Sequence, residues 1–171
     1  MVKIKDIETL LAEQAIRKVV TFYSRGCDRC DVDIFKLAFH DDAEVKYGTY
    51  DGHYEKFCND IVTGNLTLKD TSHTIINEHY NIDVNANQGT GEIYVLAFWG
   101  SEGFNYTCSG RYLDKYECRD GDWRISFRQY IYDWSRTTKY RGDDPNQIFS
   151  GLKYKGTQNK DDISYKILGK S

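Results

Sequence analysis

The chain has 171 residues, of which 40% are hydrophobic and 15% aromatic. It is therefore long and apolar enough to bury a core as one domain, and disorder is excluded. The net charge of -3 and the pI near 5.8 argue against nucleic acid as a partner, because phosphate binding favours a basic surplus. No apolar run is long enough for a membrane span, and the start "MVKIKDIETLL" lacks the apolar core of a secretory signal. We therefore predict a cytoplasmic protein that binds neither membrane nor nucleic acid.

The chain contains an odd number of cysteines, which favours free thiols in a reducing compartment over a disulfide framework. The pair Cys27-x-x-Cys30 could also be a redox motif or half of a zinc site. A redox pair should follow a strand, whereas this pair follows a predicted helix, and no second ligand pair follows it. We therefore predict unremarkable thiols and no metal. The cysteines are Cys27, Cys30, Cys58, Cys108 and Cys118.

Short-range patterns predict helices in the first third of the chain. Over Ile4–Tyr23, apolar residues recur at spacings of three and four, which is typical of an amphipathic helix. A shorter helix is predicted over Asp33–Phe39, and a third over about Tyr54–Thr63. Between them, "AEVKYG" alternates like a half-buried strand and "YDGH" has the composition of a turn. The predicted buried stripe of the first helix is Ile4, Ile7, Leu11, Ala15, Val19 and Phe22.

From Ser72 onward the chain is rich in β-branched and aromatic residues that mostly alternate with polar ones, which predicts four long strands. These strands are "HTIINEHYNIDVN", "GEIYVLAFWGS", "FNYTCSGRYLDKYECR" and "WRISFRQYIYDWSR". The "RDGD" between the last two is a strong hairpin signal. Beyond Arg136 the chain becomes polar and irregular.

Helices followed by a long antiparallel meander predict an α+β fold. A strongly curved antiparallel or mixed sheet wrapped around N-terminal helices forms a cone-shaped barrel, and its interior is the default place for a small ligand. We predict one domain over residues 1–136, with residues 137–171 as a tail that packs on this domain or on a neighbouring subunit.

Four polar residues could carry chemistry in such an interior. Tyr23 and Asp28 close the first helix, in "FYSRGCDRCD", and His73 opens the first long strand. Arg128 lies on the last strand, where alternation places it opposite the face of Ile125. A hydrogen-bonded structural histidine and a solvated helix end are the competing explanations. The remaining histidines are expected at the surface or in turns: His40, His53 and His79.

The order of several motifs resembles the SnoaL-like branch of the nuclear-transport-factor-2-like superfamily. The opening "LLAEQAIRKVVTFYSRGCDRCDVDIFKLAFHDDAEVKYG", the landmark "SHTIINEHYNID" and the final hairpin "GRYLDKYECRDGDWRISFRQYIYDWSR" carry the likeness. Within that branch the chain most resembles hexachlorocyclohexane dehydrochlorinase, bile acid 7α-dehydratase and scytalone dehydratase. The resemblance implies a cone-shaped, cystatin-like barrel and a homo-oligomer, either a trimer or a dimer.

The resemblance also implies roles for individual residues. His73 matches the histidine that abstracts a proton, and Asp28 matches the aspartate that orients it. Arg128 matches a pocket arginine near the departing anion, and Tyr23 matches an active-site tyrosine. Ala97 replaces a further catalytic aspartate of the bile acid enzyme, which leaves the substrate open.

These residues predict a cofactor-independent lyase, a dehydratase or related eliminating enzyme, acting on a hydrophobic cyclic or polycyclic molecule. Imidazole is suited to proton abstraction because its unperturbed pKa, about 6.5, lies near neutral pH. An isomerase or polyketide-type cyclase with the same dyad remains an alternative, as does a non-catalytic ligand-binding or oligomerisation module. Aromatic residues expected to line the pocket are Tyr47, Phe98, Trp99 and Tyr106.

Overall fold

The computed structural model describes residues 6–139 and 149–168 of the chain. In this part of the chain two helices come first, and six strands form a single sheet. The elements are α1 (Ile7–Asp28), α2 (Val32–Lys36), β1 (Phe39–Tyr47), β2 (Tyr50–His53), α3 (Tyr54–Asn65), β3 (Asp70–Asp83), β4 (Gln88–Ser101), β5 (Phe104–Arg119), β6 (Asp122–Lys139) and α4 (Ile163–Leu168).

The sheet is curved and open, with the strand order β2-β1-β6-β5-β4-β3. Strands β3 to β6 form the predicted antiparallel meander, and β1 joins it by pairing parallel to β6. The predicted α+β fold is therefore confirmed, as a mixed sheet packed against N-terminal helices. None of the described helices is both long enough and apolar enough to cross a bilayer.

Helix α1 begins later and buries a different stripe than predicted. Its N-cap is Asp6, whose carboxylate accepts a hydrogen bond from the Thr9 backbone N–H at 2.7 Å. Ile7 and Leu11 are 75% and 65% exposed, so the predicted stripe is wrong at these positions, and Ile4 lies outside the described residues. The sheet instead contacts the neighbouring face of the helix, which is rotated by about one residue. That buried face contains Ala12, Ile16, Val19, Val20, Tyr23 and Cys27.

The region between α1 and α3 contains two errors of prediction. Helix α2 ends at Lys36, and the predicted continuation to Phe39 is wrong because Phe39 already pairs with β6. The stretch "YDGH" is strand β2 and not a turn. The turn lies just before it, at Gly48, whose φ of 62° is a conformation that favours glycine. The strand in "AEVKYG" and the third helix are confirmed within β1 and α3.

The hairpin predicted from "RDGD" is confirmed. Asp120 and Gly121 have φ values of 55° and 84°, as a two-residue turn between twisted strands requires. Strand β6 continues to Lys139, past the predicted domain boundary at residue 136.

The described part of the tail returns to the end of α1. The Tyr165 hydroxyl donates to the Asp31 carboxylate at 2.8 Å, and the Gln158 side-chain amide donates to the Thr71 hydroxyl at 3.3 Å. Residues 149–168 therefore touch the region where α1 turns into α2 and where β3 begins. The division into a domain and a tail stays a prediction.

Candidate active site

Asp28 and His73 are in direct contact, although 45 positions of sequence separate them. Asp28 is the last residue of α1, and His73 lies near the start of β3. His73 Nδ1 lies 2.6 Å from Asp28 Oδ1, and the His73 backbone N–H donates to Asp28 Oδ2 at 2.9 Å. A carboxylate can only accept, so Nδ1 carries the hydrogen and Nε2 of the neutral ring keeps a free lone pair. This is the geometry of an oriented general base.

A close helix–helix contact holds Asp28 in position. A Cβ added to Gly26 would lie 2.4 Å from the Phe35 backbone nitrogen, so only glycine lets α2 approach α1 this closely. Asp31 then caps α2 by accepting from the backbone N–H groups of Asp33 and Ile34. The short connection between the two helices is thus closely packed and hydrogen-bonded next to Asp28.

The His73 ring faces a cavity of about 450 Å³ between the helices and the sheet. Thr71 and His73 of β3 and Val95 and Ala97 of β4 contribute alternate residues of one sheet face, as the pleat requires. Most of the wall is apolar or aromatic. Its members are Tyr23, Cys27, Tyr47, Ile61, Gly64, Asn65, Leu68, Thr71, His73, Val95, Ala97, Phe98, Trp99, Cys108, Tyr112, Tyr130 and Tyr132.

The predicted pocket aromatics divide into two groups. Tyr47, Phe98 and Trp99 line the cavity. Tyr106 is not in its lining and instead stacks on Trp99, with ring centroids 5.3 Å apart. Tyr106 therefore lies beside the cavity wall, next to its cross-strand partner Trp99.

The Nε2 side of the His73 ring faces the sulfur of Cys27, a residue for which the sequence predicted no role. Cys27 Sγ lies 3.9 Å from His73 Nε2 and accepts a hydrogen bond from the Asn65 side-chain amide at 3.2 Å. The same Asn65 amide donates to the Cys27 carbonyl. The only signal in the sequence was that Cys27 directly precedes Asp28, so a catalytic aspartate at the helix end brings the thiol with it.

Burial by itself lowers the pKa of the His73 imidazole, because a buried cation loses hydration. Interactions of the ring with Cys27 and with the Asp28 carboxylate outweigh that effect and raise the pKa of His73 to about 10. Neutral His73, with its hydrogen on Nδ1, is therefore a strong base at Nε2.

Tyr23 is at the cavity wall and stays protonated. Burial raises the pKa of its hydroxyl well above the usual value, although the Arg128 guanidinium partly opposes this. Rings of Phe35 and Tyr112 contact the Tyr23 ring edge to face, with centroids 4.8 and 5.2 Å away. Tyr23 is thus a rigid, neutral hydrogen-bond donor.

Arg128 lies behind the cavity wall, not in it. Its side chain is completely buried and makes two hydrogen bonds to the Asp114 carboxylate, at 2.7 and 2.6 Å. The guanidinium lies over both the Tyr23 and the Tyr112 ring, 4.0 and 4.1 Å from their centroids. The cavity lining does not include Arg128, so the expected contact with a departing anion requires a different arrangement from the one observed.

A β-bulge explains why Arg128 points inward. Lys115 pairs with Phe127 and Tyr116 pairs with Ile125, so Ser126 is an extra residue in β6. The bulge reverses the alternation, and Arg128 shares the buried face with Ile125. The prediction that these two residues lie on opposite faces is wrong for this reason.

The other histidines follow the expectation in two cases out of three. His53 and His79 are exposed, and His53 caps α3. His40 is buried, and its Nε2 lies 2.9 Å from the Glu117 carbonyl oxygen, so a surface position for His40 is wrong.

Among the residues that the structure describes, one group has donor atoms close enough for a metal ion. The donor atoms of Cys27, Asp28 and His73 lie within 4.8 Å of one another. Both Asp28 oxygens accept a hydrogen bond from His73, so these carboxylate atoms already have partners in the protein. The metal-free site stays a prediction.

Comparisons with known proteins support the same architecture. The sequence profile of the SnoaL-like domain matches residues 8–129. No curated protein matches the chain. A scytalone dehydratase-like protein from Novosphingobium aromaticivorans DSM 12444 is 23% identical, with a TM-score of 0.65 over 80% of this chain and 92% of that one.

Two further solved structures are similar. Hexachlorocyclohexane dehydrochlorinase LinA-type3 from Novosphingobium barchaimii LL02 is 23% identical, with a TM-score of 0.66 over 81% of this chain and 97% of that one. A protein of unknown function with a cystatin-like fold from Nostoc punctiforme PCC 73102 is 18% identical, with a TM-score of 0.60 over 71% and 90%. At these identities the likeness concerns the fold.

Proposed function

This chain belongs to the SnoaL-like domain family, and from that premise we propose that it is a cofactor-independent lyase. In this proposal it catalyses a dehydration or a related elimination on a hydrophobic cyclic small molecule. The observation that carries the proposal is the 2.6 Å contact between His73 Nδ1 and Asp28 Oδ1 at the wall of a largely apolar cavity. A partly buried, oriented imidazole beside such a cavity is suited to taking a proton from carbon.

The mechanism assigns each step to a side chain. Neutral His73 takes the carbon-bound proton through Nε2, and Asp28 stabilises the imidazolium that forms. The Tyr23 hydroxyl donates a hydrogen bond to the oxygen that gains negative charge. The leaving hydroxide takes a proton from the imidazolium, which returns His73 to its neutral form.

Arg128 acts through the aromatic wall in this proposal. Its cation lies against the faces of Tyr23 and Tyr112, and a positive charge there makes the Tyr23 hydroxyl a stronger donor. Asp114 neutralises the guanidinium, which reduces its direct attraction for an anion in the cavity. Arg128 is therefore proposed as a positioning residue.

The test is turnover by matched histidine variants. A panel of cyclic β-hydroxy ketones and cyclic polyhalides is incubated with the protein, and loss of water or hydrogen halide is followed by mass spectrometry. His73→Ala should reduce the rate by about 10²–10⁴-fold, as expected for a positioned general base. His79→Ala changes an exposed histidine of the same strand and should leave the rate within about twofold. Equal rates for the two variants would rule out His73 as the base.

The isomerase or cyclase alternative uses the same dyad, because both reactions also begin with removal of an acidic proton. Product mass separates the reactions, since an isomerase conserves the mass of its substrate. In heavy water an isomerase that exchanges its proton with solvent also incorporates deuterium. A ligand-binding module would show affinity without turnover, and His73→Ala would leave that affinity nearly unchanged.

Self-association is a further part of the proposal. Tyr132 and Trp134 near the end of β6, and Tyr154 and Ile167 in the tail, are exposed apolar side chains. A trimer or dimer would cover such surface. Light scattering at micromolar concentration should give a mass of two or three chains, and the mass of one chain would contradict the proposal.

A further inference from the structure

One reactive group in the cavity has no part in the elimination. Cys27 is buried, with 3% of its surface exposed, and its sulfur lies 3.9 Å from His73 Nε2, on the side of the ring opposite Asp28. The order thiol, imidazole, carboxylate is that of a nucleophile, its base and the group that orients the base. Cys27, His73 and the cavity therefore form a second reactive constellation.

We propose that Cys27 forms a covalent thioether with α,β-unsaturated carbonyl compounds that enter the cavity, with His73 as its base. This reaction is an addition to an alkene and goes beyond the proposed elimination. It does not depend on the elimination, because it needs only the thiol, the dyad and the cavity.

The side chains around the Cys27 sulfur favour formation of its thiolate. The dipole of α1 opposes an anion at Cys27, which is in the last turn of the helix. Transfer of the thiol proton to the adjacent His73 offsets this, because it leaves a cation beside the sulfur. The resulting imidazolium stays paired with Asp28 on one side and with the thiolate on the other. The Asn65 amide donates to the sulfur at 3.2 Å, which stabilises its negative charge.

The other cysteines lack this combination. Cys58 is completely buried in the core, and Cys30 and Cys118 are not in the cavity lining. Cys108 also lines the cavity, but its sulfur lies 3.2 Å from the Tyr130 hydroxyl and not beside His73 or Asp28. All five cysteines are free thiols, which makes them internal controls for one another.

The chemistry of sulfur and the shape of the cavity define the ligand class. A thiolate is a soft nucleophile, and the β-carbon of a conjugated ketone is a soft electrophile. The largely apolar wall and the volume of about 450 Å³ suit a ring of small or moderate size.

The step balances without an oxidant or reductant. His73 takes the thiol proton, and the sulfur electron pair forms a C–S bond to the β-carbon. The alkene π pair moves toward the carbonyl, giving an enolate, and His73 returns the proton to the α-carbon. The net change is addition of S–H across C=C.

The experiment uses the full chain and 2-cyclohexen-1-one as the probe. Intact mass measures the number of adducts, and peptide mapping locates them. The folded chain should first gain one reagent mass at Cys27. Asp28→Asn and His73→Ala should slow that labelling by at least about tenfold, because the thiolate forms only with its base in place. Cys118→Ala is the matched control and should leave labelling of Cys27 unchanged.

Two outcomes would overturn the proposal: first labelling at Cys30, Cys108 or Cys118, or an unchanged rate at Cys27 in His73→Ala. If His73→Ala fails to fold by circular dichroism, the wild-type chain supplies the comparison. Cys27 should then react faster in the folded chain than in the urea-unfolded chain, and slower reaction would overturn the proposal. Adduct formation needs no turnover, so failure of the lyase assay and failure of this experiment are distinguishable.

Discussion

Replacing Asp28 by asparagine tests the dyad without any substrate. Asp28 accepts hydrogen bonds from both His73 Nδ1 and the His73 backbone N–H, at 2.6 and 2.9 Å. An asparagine side chain has one acceptor oxygen, so one of these donors must face an amide NH₂ group. A hydrogen bond to a charged group contributes about 1.5–3 kcal/mol, and one pKa unit corresponds to about 1.4 kcal/mol. The pKa of His73 should therefore fall by about one to two units in Asp28→Asn.

NMR titration of the His73 ring protons measures this shift directly. In the wild-type chain the His73 ring should titrate near pH 10. In Asp28→Asn its pKa should be lower by the one to two units expected above. Because the pKa of folded His73 is raised above its unfolded value near 6.5, the stability it contributes is fully present below about pH 6.5. That stability is lost as pH rises toward 10, by at most about 1.4 kcal/mol per pH unit. Asp60→Asn, at an exposed position, is the control and should leave the titration unchanged. A wild-type His73 that titrates at or below pH 6.5, or an Asp28→Asn variant with an unchanged pKa, would refute the reasoning.

Three further predictions follow from the same geometry. His73 must be neutral to act as the base, and its pKa is raised to about 10. The pH profile of kcat/KM should therefore rise about tenfold per pH unit from neutral pH toward 10. A maximum of kcat/KM below pH 7 would contradict this. Gly26→Ala should lower the free energy of unfolding, measured in urea, by at least about 2 kcal/mol, because the new Cβ would overlap the Phe35 backbone. Gly64→Ala is the control, since its Cβ would meet open space, and its free energy of unfolding should be unchanged or higher. Arg128→Met leaves the buried Asp114 carboxylate without its ion-pair partner and should lower the free energy of unfolding by about 3–5 kcal/mol. Adding Asp114→Leu to this variant should recover part of that loss. A double variant no more stable than the single one would show that the ion pair is not the cause.

Much of the architecture was predictable because it is encoded locally. Alternating β-branched and aromatic residues predicted β3 to β6, and the Asp-Gly pair at 120–121 predicted their last hairpin, since both signals depend on the geometry of neighbouring residues. Their places at a helix end and a strand start made Asp28 and His73 two of four candidates, and a resemblance in motifs assigned their roles. Their 2.6 Å contact depends on how α1 and β3 pack, which no window of sequence contains.

Packing between distant segments decided the rest. The buried face of α1 depends on which side the sheet covers, so Ile7 and Leu11 are exposed although they fit an apolar stripe. One extra residue at the β6 bulge turned Arg128 into the core, because a shift of one position exchanges the two faces of a strand. The same packing placed the Cys27 sulfur beside His73, and a cysteine pattern alone carries no information about such a neighbour. Local sequence thus specifies the type of most elements, whereas the faces that meet are set by contacts that form only when the whole chain folds.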